Sequence, residues 1–561
     1  MKNIRFLLEI NYVNQTWHFY KHPEFQLEIR NASSDVFVWG DPIFNQPSDT
    51  EKKNYTAIEE IVNNISGHFY FLFIDKNRKQ IFIGNSFLGI LPLYYYQSKN
   101  TIFFSDNALI IGSHCKISEP NKRFILETVL FNYPVFNHSI LKNIFLLPVN
   151  SYIKITERNI HILDHTHIED FFHSKPIPWR KSIEKLKADY FQNIQKYFPS
   201  EKYITALTGG FDGRTLSATG LYFKRKFDCY SFGTSNALDT KLPPHLANIA
   251  GLDYYHIKLD DNYVQNKSLD SGLEFVQNAS GTASFARAHY LYAAKVLAQN
   301  YNYIITGNFG SEIFRAAHIP GIMFAENLIA LFNEPDLNVA LLNIKNSSAY
   351  RFLNEQNYEK EWEDLEHDLK KHKAFQQNNG FTQNQKFYII IFEEVFRKYF
   401  GAEMVNQFKY IKNRTPFLDL NFVKSLLSSK IAGVYSEFFE ENPFKRFKGQ
   451  VLYAHIIAEA FPLFNKIKTD KGYAPGDLLS KSGNLKILFN YIKKRLEKKT
   501  NQAQDQHAVE KSFMQNMLFF KEIRINEKYF NSQYIEYSPN ENTYRLLSLS
   551  WLIQKLNKDE H

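Results

Sequence analysis

Cysteine is almost missing from this chain: Cys115 and Cys229 are the only two in 561 residues. A lone pair builds neither a disulfide framework nor a cysteine-rich zinc module, so a small cross-linked secreted scaffold is excluded. Long apolar runs are missing too, and without about 18 uncharged apolar residues in a row no membrane-spanning helix is expected. The opening, MKNIRFLLEINYVNQTWHFY, has too short an apolar core for a secretory signal and no small-residue cleavage site after it. A reducing, cytoplasmic setting is therefore the expectation. Dense basic blocks are rare, the longest being KKRLEKK at 493–499. The formal charge of +9, from 67 basic and 58 acidic residues, is mild for this length. It suits an anionic small molecule, and nucleic acid is not expected as a partner.

What is present describes a globular chain of about two to four domains. Hydrophobic residues make up 44% and charged residues 22%, enough to bury large cores. The 51 Phe and 34 Tyr read mainly as compositional bias. Residues 1–175 carry short apolar or alternating runs (RFLLEINYV, FYFLFID, KQIFIGN, LPLYYY, TIFFSD, SYIKIT) separated by turn residues, which predicts a sheet-dominated domain. NKRFILETVLFN (121–132) is its one candidate helix. HSKPIPWR (173–180) reads as a linker. After it, strands alternate with helices: YITALTGG, then FDGRTLSATGLYF; FDCYSFG, then LPPHLANIAG; DYYHIKL; and ARAHYLYAAKVLAQN before YNYIITGN. This rhythm predicts a parallel sheet covered on both faces. Beyond about residue 320 the pattern is helical, with NRTPFLDLNF (413–422) as an irregular insert and 493–512 as a polar helix or connector.

The stretch YITALTGGFDGRTLSATG (203–220) carries the chemistry. A buried strand ends at Leu207, Thr208-Gly209-Gly210 turns, and a helix begins near Phe211. Glycine lets a ligand touch the backbone, and the helix start offers unpaired N–H groups and the positive end of the dipole. Thr208 adds a hydroxyl donor and Arg214 a bidentate cation for phosphate. Asp212 makes sense in such a cradle as a ligand of Mg²⁺ bridging to polyphosphate. No Gly-Lys-Ser/Thr follows, so this is not the kinase-type phosphate loop.

TGGFDGRT resembles the Ser-Gly-Gly-x-Asp-Ser signature of the PP-loop ATP pyrophosphatases, and the order of further motifs resembles the asparagine synthetase family. These are Ser231-Phe232-Gly233, Asp239 before LANIAGLDYYHIKL, TGNFGSEIFR (306–315), Pro416-Phe417-Leu418-Asp419, and Lys471-Gly472-Tyr473. In the N-terminal part, SGHFYFLFID, GILPLYY and IFFSDNALI are similar to that family's glutamine amidotransferase domain. The resemblance implies an α+β N-terminal glutaminase-like β-sandwich over 1–175, followed over 180–561 by an α/β PP-loop synthetase domain with a helical C-terminal extension. It implies ATP and Mg²⁺ as cofactors and a ligase that activates a carboxylate as an acyl-adenylate for attack by ammonia or an amine. Leu207, Thr208, Gly209, Gly210, Asp212, Gly213, Arg214, Ser231, Gly233 and Gly307 would bind the nucleotide. Asp212 and Glu312 would hold the metal, and Lys471 and Arg214 would act in catalysis. The partners would be a small-molecule or peptide carboxylate and an amine or ammonia donor; a homodimer is compatible with the sequence.

Three positions depart from the family pattern. Residue 2 is Lys where the family's mature glutaminase begins with Cys, so glutamine hydrolysis is not expected. In this the chain is similar to β-lactam synthetases and lasso-peptide cyclases. Gly213 stands in place of a serine, and Ser311 in place of a metal-binding aspartate, which shifts that role to Glu312. A natural-product or peptide macrocyclase, a tRNA-modifying PP-loop enzyme and an ATP-binding pseudoenzyme are the alternatives. Arg287 and His289 read as structural, and the His165/His167 pair lacks a third metal ligand nearby.

Overall fold

The computed structural model describes residues 5–44, 55–234, 238–314, 323–377, 380–438, 448–497 and 508–558. The side chain of Asp239 and part of the 493–512 connector lie outside the described residues.

Two antiparallel sheets come first. One runs in the order β2 (Thr16–Lys21), β1 (Leu7–Asn11), β8 (Thr101–Ser105), β7 (Tyr94–Gln97), β9 (Phe145–Leu146). The other runs β11 (Ile160–Asp164), β10 (Ser151–Ile155), β6 (Gln80–Asn85), β5 (Ile65–Asp75), β4 (Ser34–Phe44), β3 (Phe25–Arg30). Phe6, just before β1, packs edge-on to Trp39 and Tyr70 of the second sheet, with ring centroids 5.0 and 5.2 Å away. β4 and β5 read as continuous apolar runs because both their faces are covered. On the side away from Trp39, Val36, Val38, Phe69, Phe71 and Phe73 pack against Ile58, Ile61 and Val62 of the helix Ile58–Asn64.

A five-stranded parallel sheet follows, in the order β14 (Tyr254–Lys258), β13 (Phe227–Gly233), β12 (Tyr203–Ala206), β15 (Tyr303–Ile305), β16 (Lys412–Arg414). From β12 the chain steps outward to β13 and β14, then returns to the opposite side of β12 as β15. The strand order therefore reverses between β12 and β15, and open α/β sheets bind ligands outside the carboxyl ends of such strands. Helix Ala288–Leu297 packs on Ile204, Tyr230 and Ile304 of one face. Leu216 and Ala218 of helix Asp212–Tyr222, with Leu246 and Ala247 of helix Leu238–Ala250, join Tyr203, Phe227 and Cys229 in the main core. No helix among the described residues is long and apolar enough to cross a membrane.

The segment 413–422 corrects the expectation of an irregular insert. It supplies most of the short polar strand β16, a 3₁₀ turn Pro416–Leu418, and the start of helix Leu420–Leu427. Polar residues form this strand because their partners lie in the N-terminal unit. Arg414 Nε and Nη2 donate to Asp41 Oδ2 and Oδ1 at 2.7 and 3.0 Å. His68 Nε2 lies 2.7 Å from Thr415 Oγ1. Burial alone would raise the Asp41 carboxyl, but the Arg414 charge and hydrogen bonds, helped by Lys412, bring it below its ordinary value. Burial pushes His68 down to about 4, so it is neutral at physiological pH.

A second junction uses a π-helix, Ile391–Phe400, set between the helices Gln383–Ile390 and Gly401–Phe408. Glu394 binds Arg397 at 2.9 Å and also Lys398. Both cations reach the N-terminal unit: Arg397 donates to Leu147 O at 2.6 Å and to Asn137 Oδ1, and Lys398 to Phe136 O at 2.6 Å. The neighbouring Glu393 is buried and meets Lys373 at 2.9 Å. Burial pushes its carboxyl from 4.5 up to about 7, against the pull of Lys373. Between those two values the folded chain holds a proton that the unfolded chain has lost, so this group's contribution to stability falls as pH rises and levels off above the higher value. Glu393→Gln is therefore expected to gain a few degrees in Tm relative to the parent on going from pH 5 to pH 8. A difference in Tm that stays flat across that range would show that Glu393 ionises normally.

Candidate functional site

The loop after β12 is shaped by three glycines. Thr208 Oγ1 accepts from the Gly210 N–H at 3.3 Å, which tightens the turn. A Cβ on Gly209 would lie 2.9 Å from Leu242 Cδ1 and 3.3 Å from Asp470 Cβ. A Cβ on Gly210 would meet only Thr208 Oγ1, at 3.6 Å, so this face is open. Helix Asp212–Tyr222 starts without any side-chain cap, leaving its first-turn N–H groups directed at that opening. A Cβ on Gly213 would stand 2.4 Å from the Ala206 carbonyl oxygen. Glycine at 213 thus reflects a helix seated too close to its strand for any side chain. Gly213→Ser is expected to lower stability by about 1–3 kcal/mol, read as an earlier unfolding transition, with no gain in nucleotide affinity.

The loop after β15 meets this one. A Cβ on Gly307 would lie 2.7 Å from Asp212 Cβ, and one on Gly310 would lie 3.0 Å from Asp212 Cγ. Ser311 Oγ donates to Asp212 Oδ2 at 2.8 Å and so holds that carboxylate in place. Tyr453 donates to the Gly310 carbonyl at 2.8 Å. Burial raises the Tyr453 phenol well above its usual value, and the negative charges of Asp212 and Glu312 add to the rise. Phe309 carries φ +71°, unusual for a residue with a side chain, and its buried ring lies 5.0 Å from Phe396 and 4.4 Å from Phe400. From below, Asn308 Nδ2 donates to Glu403 Oε1 at 3.2 Å, Gln407 Nε2 donates to the same oxygen at 3.1 Å, and Arg287 Nη2 donates to Glu403 Oε2 at 3.0 Å.

The segment 464–473 closes the third side. The Asp470 N–H donates to the Gly209 carbonyl at 3.3 Å, and Thr469, Gly472 and Tyr473 form a tight turn around Lys471. Lys471 Nζ stands 5.7 Å from the centre of the Phe211 ring, so the cation does reach the β12 loop. Arg214 does not match its expected role as a phosphate ligand. It is fully buried, and its guanidinium donates to the carbonyls of Ile467 (2.6 Å), Phe464 (3.2 Å), Lys468 and Gly209 (both 3.3 Å). Burial lowers it to about 10, with Asp470 partly opposing. Arg214 straps the Lys471 segment to the loop, and its Nε has no hydrogen-bond partner among the described residues.

Pro416–Asp419 gains a physical meaning here. Asp419 caps helix Leu420–Leu427 by accepting the N–H groups of Asn421 and Phe422, both at 3.0 Å. A Cβ on Gly310 would touch the Phe417 ring at 2.8 Å, so that ring backs the β15 loop. Ser231 lies at the end of β13 with its hydroxyl 2.6 Å from Tyr254 OH, and the Gly233 carbonyl lies 3.0 Å from His256 Nε2. The structure thus gathers Leu207–Gly213, Gly307, Glu312 and Lys471 around the switch point, with Ser231 and Gly233 on the adjoining strand. Sequence reasoning missed Asp470, Tyr453, Phe309 and Glu403, whose roles rest on contacts between segments far apart in the chain.

No group of three or more His, Cys, Asp or Glu suited to a metal occurs among the described residues. Mg²⁺ bound together with phosphates needs only one or two carboxylates. Asp212 stands beside the glycines of the β15 loop, Glu312 follows in that loop, and carboxylates of this kind suit the ion.

Residues 40–166 match the glutamine amidotransferase domain family. The matched stretch runs from within β4 to just past β11 and stops short of the parallel sheet. Neither thiol of the protein suits an amidotransferase nucleophile: burial raises Cys115 to about 11 and Cys229 to about 12. Among solved structures similar to the chain is glutamine phosphoribosylpyrophosphate amidotransferase from B. subtilis, complexed with ADP and GMP, at 9% identity. The likeness covers 45% of this chain and 59% of that one, at a TM-score of 0.18. No curated protein matches the chain significantly.

Proposed function

We propose that the protein is an ATP-dependent, amide-forming ligase that joins its glutamine amidotransferase-type domain to a nucleotide-binding domain of the asparagine synthetase kind. The observation that carries this reading is the meeting of the β12 and β15 loops at the switch point, with Asp212 held by Ser311 and Lys471 poised over Phe211. The uncapped helix start and the open face at Gly210 receive the triphosphate. Mg²⁺ would be held by Asp212 and Glu312 and would supply neutralisation of phosphate charge. A substrate carboxylate attacks the α-phosphorus and pyrophosphate leaves; an amine or ammonia then attacks the acyl-adenylate, giving an amide and AMP. The chain's own part is to orient these groups in line and to place Lys471 where negative charge develops. Nitrogen comes from ammonia or an amine substrate, because neither thiol is an active nucleophile.

ATP–pyrophosphate exchange, run against a panel of carboxylic acids, tests the reading. Exchange dependent on one acid, unsupported by glutamine in the amide-forming step, is the expected result. Exchange with none of them, together with no binding of Mg-ATP, overturns it. Lys471→Ala is expected to lower exchange by about a hundredfold while the protein stays folded, read as a cooperative thermal transition.

A further inference from the structure

A cavity of about 620 Å³ lies between the end of helix Lys122–Phe131 in the amidotransferase-type domain, the segments 325–327 and 347–352, and the start of the C-terminal helix Glu541–Lys558. None of the residues at the switch point lines it. Its size is that of a small-molecule site. Much of its wall is polar, with Asn327, Ser348 and Thr543 among the lining residues, and it shares Asn132, Glu541 and Arg545 with a second cavity of about 20 Å³, room for a water.

Arg545 decides its chemistry. The residue is 6% exposed, yet among the described residues its side chain makes one hydrogen bond, Nη1 to Asn542 Oδ1 at 3.1 Å. Its Nη2 also forms a loose ion pair with Glu541, one turn earlier, at 3.7 Å. A guanidinium has five N–H donors, and a buried cation with spare donors is costly unless an anion completes it. Burial accordingly lowers Arg545 below its usual value, with only partial compensation from Glu541 and Tyr133. Glu541 is oriented by Ser284 Oγ, which donates to Oε1 at 2.9 Å. One turn of helix thus presents a cation and an anion side by side to one polar chamber.

We propose that this chamber binds a free amino acid, its carboxylate on Arg545 and its ammonium on Glu541, at a site separate from the nucleotide loops. The two charges match a ligand carrying both signs on neighbouring atoms, which a simple anion or a simple amine does not. The amide and hydroxyl groups of the wall meet the remaining polar atoms of the ligand.

A thermal-shift screen of the full chain with the twenty free amino acids, in the absence of nucleotide, tests this. At least one is expected to raise Tm and to titrate as a single site by calorimetry. Its amide and its N-acetyl derivative are each expected to bind at least about tenfold more weakly. Ser348→Trp, placed at an exposed part of the mouth, is expected to abolish binding without changing the Tm of the free protein, and Arg545→Met to weaken it at least about tenfold. No response from any of the twenty, equal binding of the capped derivatives, or full binding by Ser348→Trp overturns the proposal. Binding that survives in Asp212→Asn separates this site from the nucleotide reading, so either can fail alone.

Discussion

Asp212→Asn is expected to reduce ATP–pyrophosphate exchange by about a hundredfold to a thousandfold while the protein stays folded. Asparagine keeps an oxygen for the Ser311 hydroxyl, so the clasp between the β12 and β15 loops survives. What is lost is the negative charge that Mg²⁺ requires. Calorimetry with ATP gives the decisive contrast. The parent should bind more weakly when magnesium is chelated, whereas the variant should be weak from the outset and indifferent to chelation. Exchange within about threefold of the parent, well short of the loss expected when a charge-stabilising group is removed, would rule Asp212 out as the metal ligand. It would also leave the switch point with no chemical role for its most constrained carboxylate.

The second large effect concerns stability. Glu394 sits between Arg397 and Lys398, all three nearly inaccessible to solvent, at the seam between the two parts of the chain. Burial alone would raise its carboxyl, yet the two cations hold it below its ordinary value. Burial at the same time lowers Lys398 to about 8. Glu394→Ala leaves two buried cations without their counter-ion, a change that costs about 3–5 kcal/mol. The amidotransferase-type domain is expected to loosen first, because Arg397 and Lys398 also bind Leu147, Asn137 and Phe136. Limited proteolysis should show early cleavage in the 136–147 segment that the two cations hold, together with a lowered Tm. An unchanged digestion pattern and Tm would mean that the seam is held elsewhere. Combining Glu394→Leu with Arg397→Met and Lys398→Met is expected to recover part of the loss, since well-packed apolar groups often substitute for buried ions.

The parts legible in the sequence are those whose signal is local. The strand, the paired glycines and the helix of 203–222 lie within one short stretch, and the apolar-to-helical rhythm of 227–305 follows from periodicity alone. The rest depends on partners elsewhere. β16 is Lys-Asn-Arg, a triplet with no strand signature, ordered by parallel pairing with β15 and by Asp41. Arg214 reads as a phosphate ligand from its place after the glycines, and only the carbonyls of 464–468 reveal it as a strap. The π-helix leaves no mark in composition, and its buried charges Glu393, Arg397 and Lys398 find partners elsewhere in the chain. Gly213 reads as a missing hydroxyl, and only the nearness of the Ala206 oxygen shows that there is no room for one.

The left-handed turn at Phe309 would relax in an ordinary loop, at a gain of about 1–3 kcal/mol. It persists because its ring is wedged between Phe396 and Phe400, on the π-helical turn. The posture of the heptapeptide Thr306–Glu312 is therefore borrowed from a distant wall and is not written in its own letters. Grafted onto another parallel sheet, the same seven residues would spring open and Glu312 would lose its fixed place. Any transplant of this centre has to carry its aromatic buttress along.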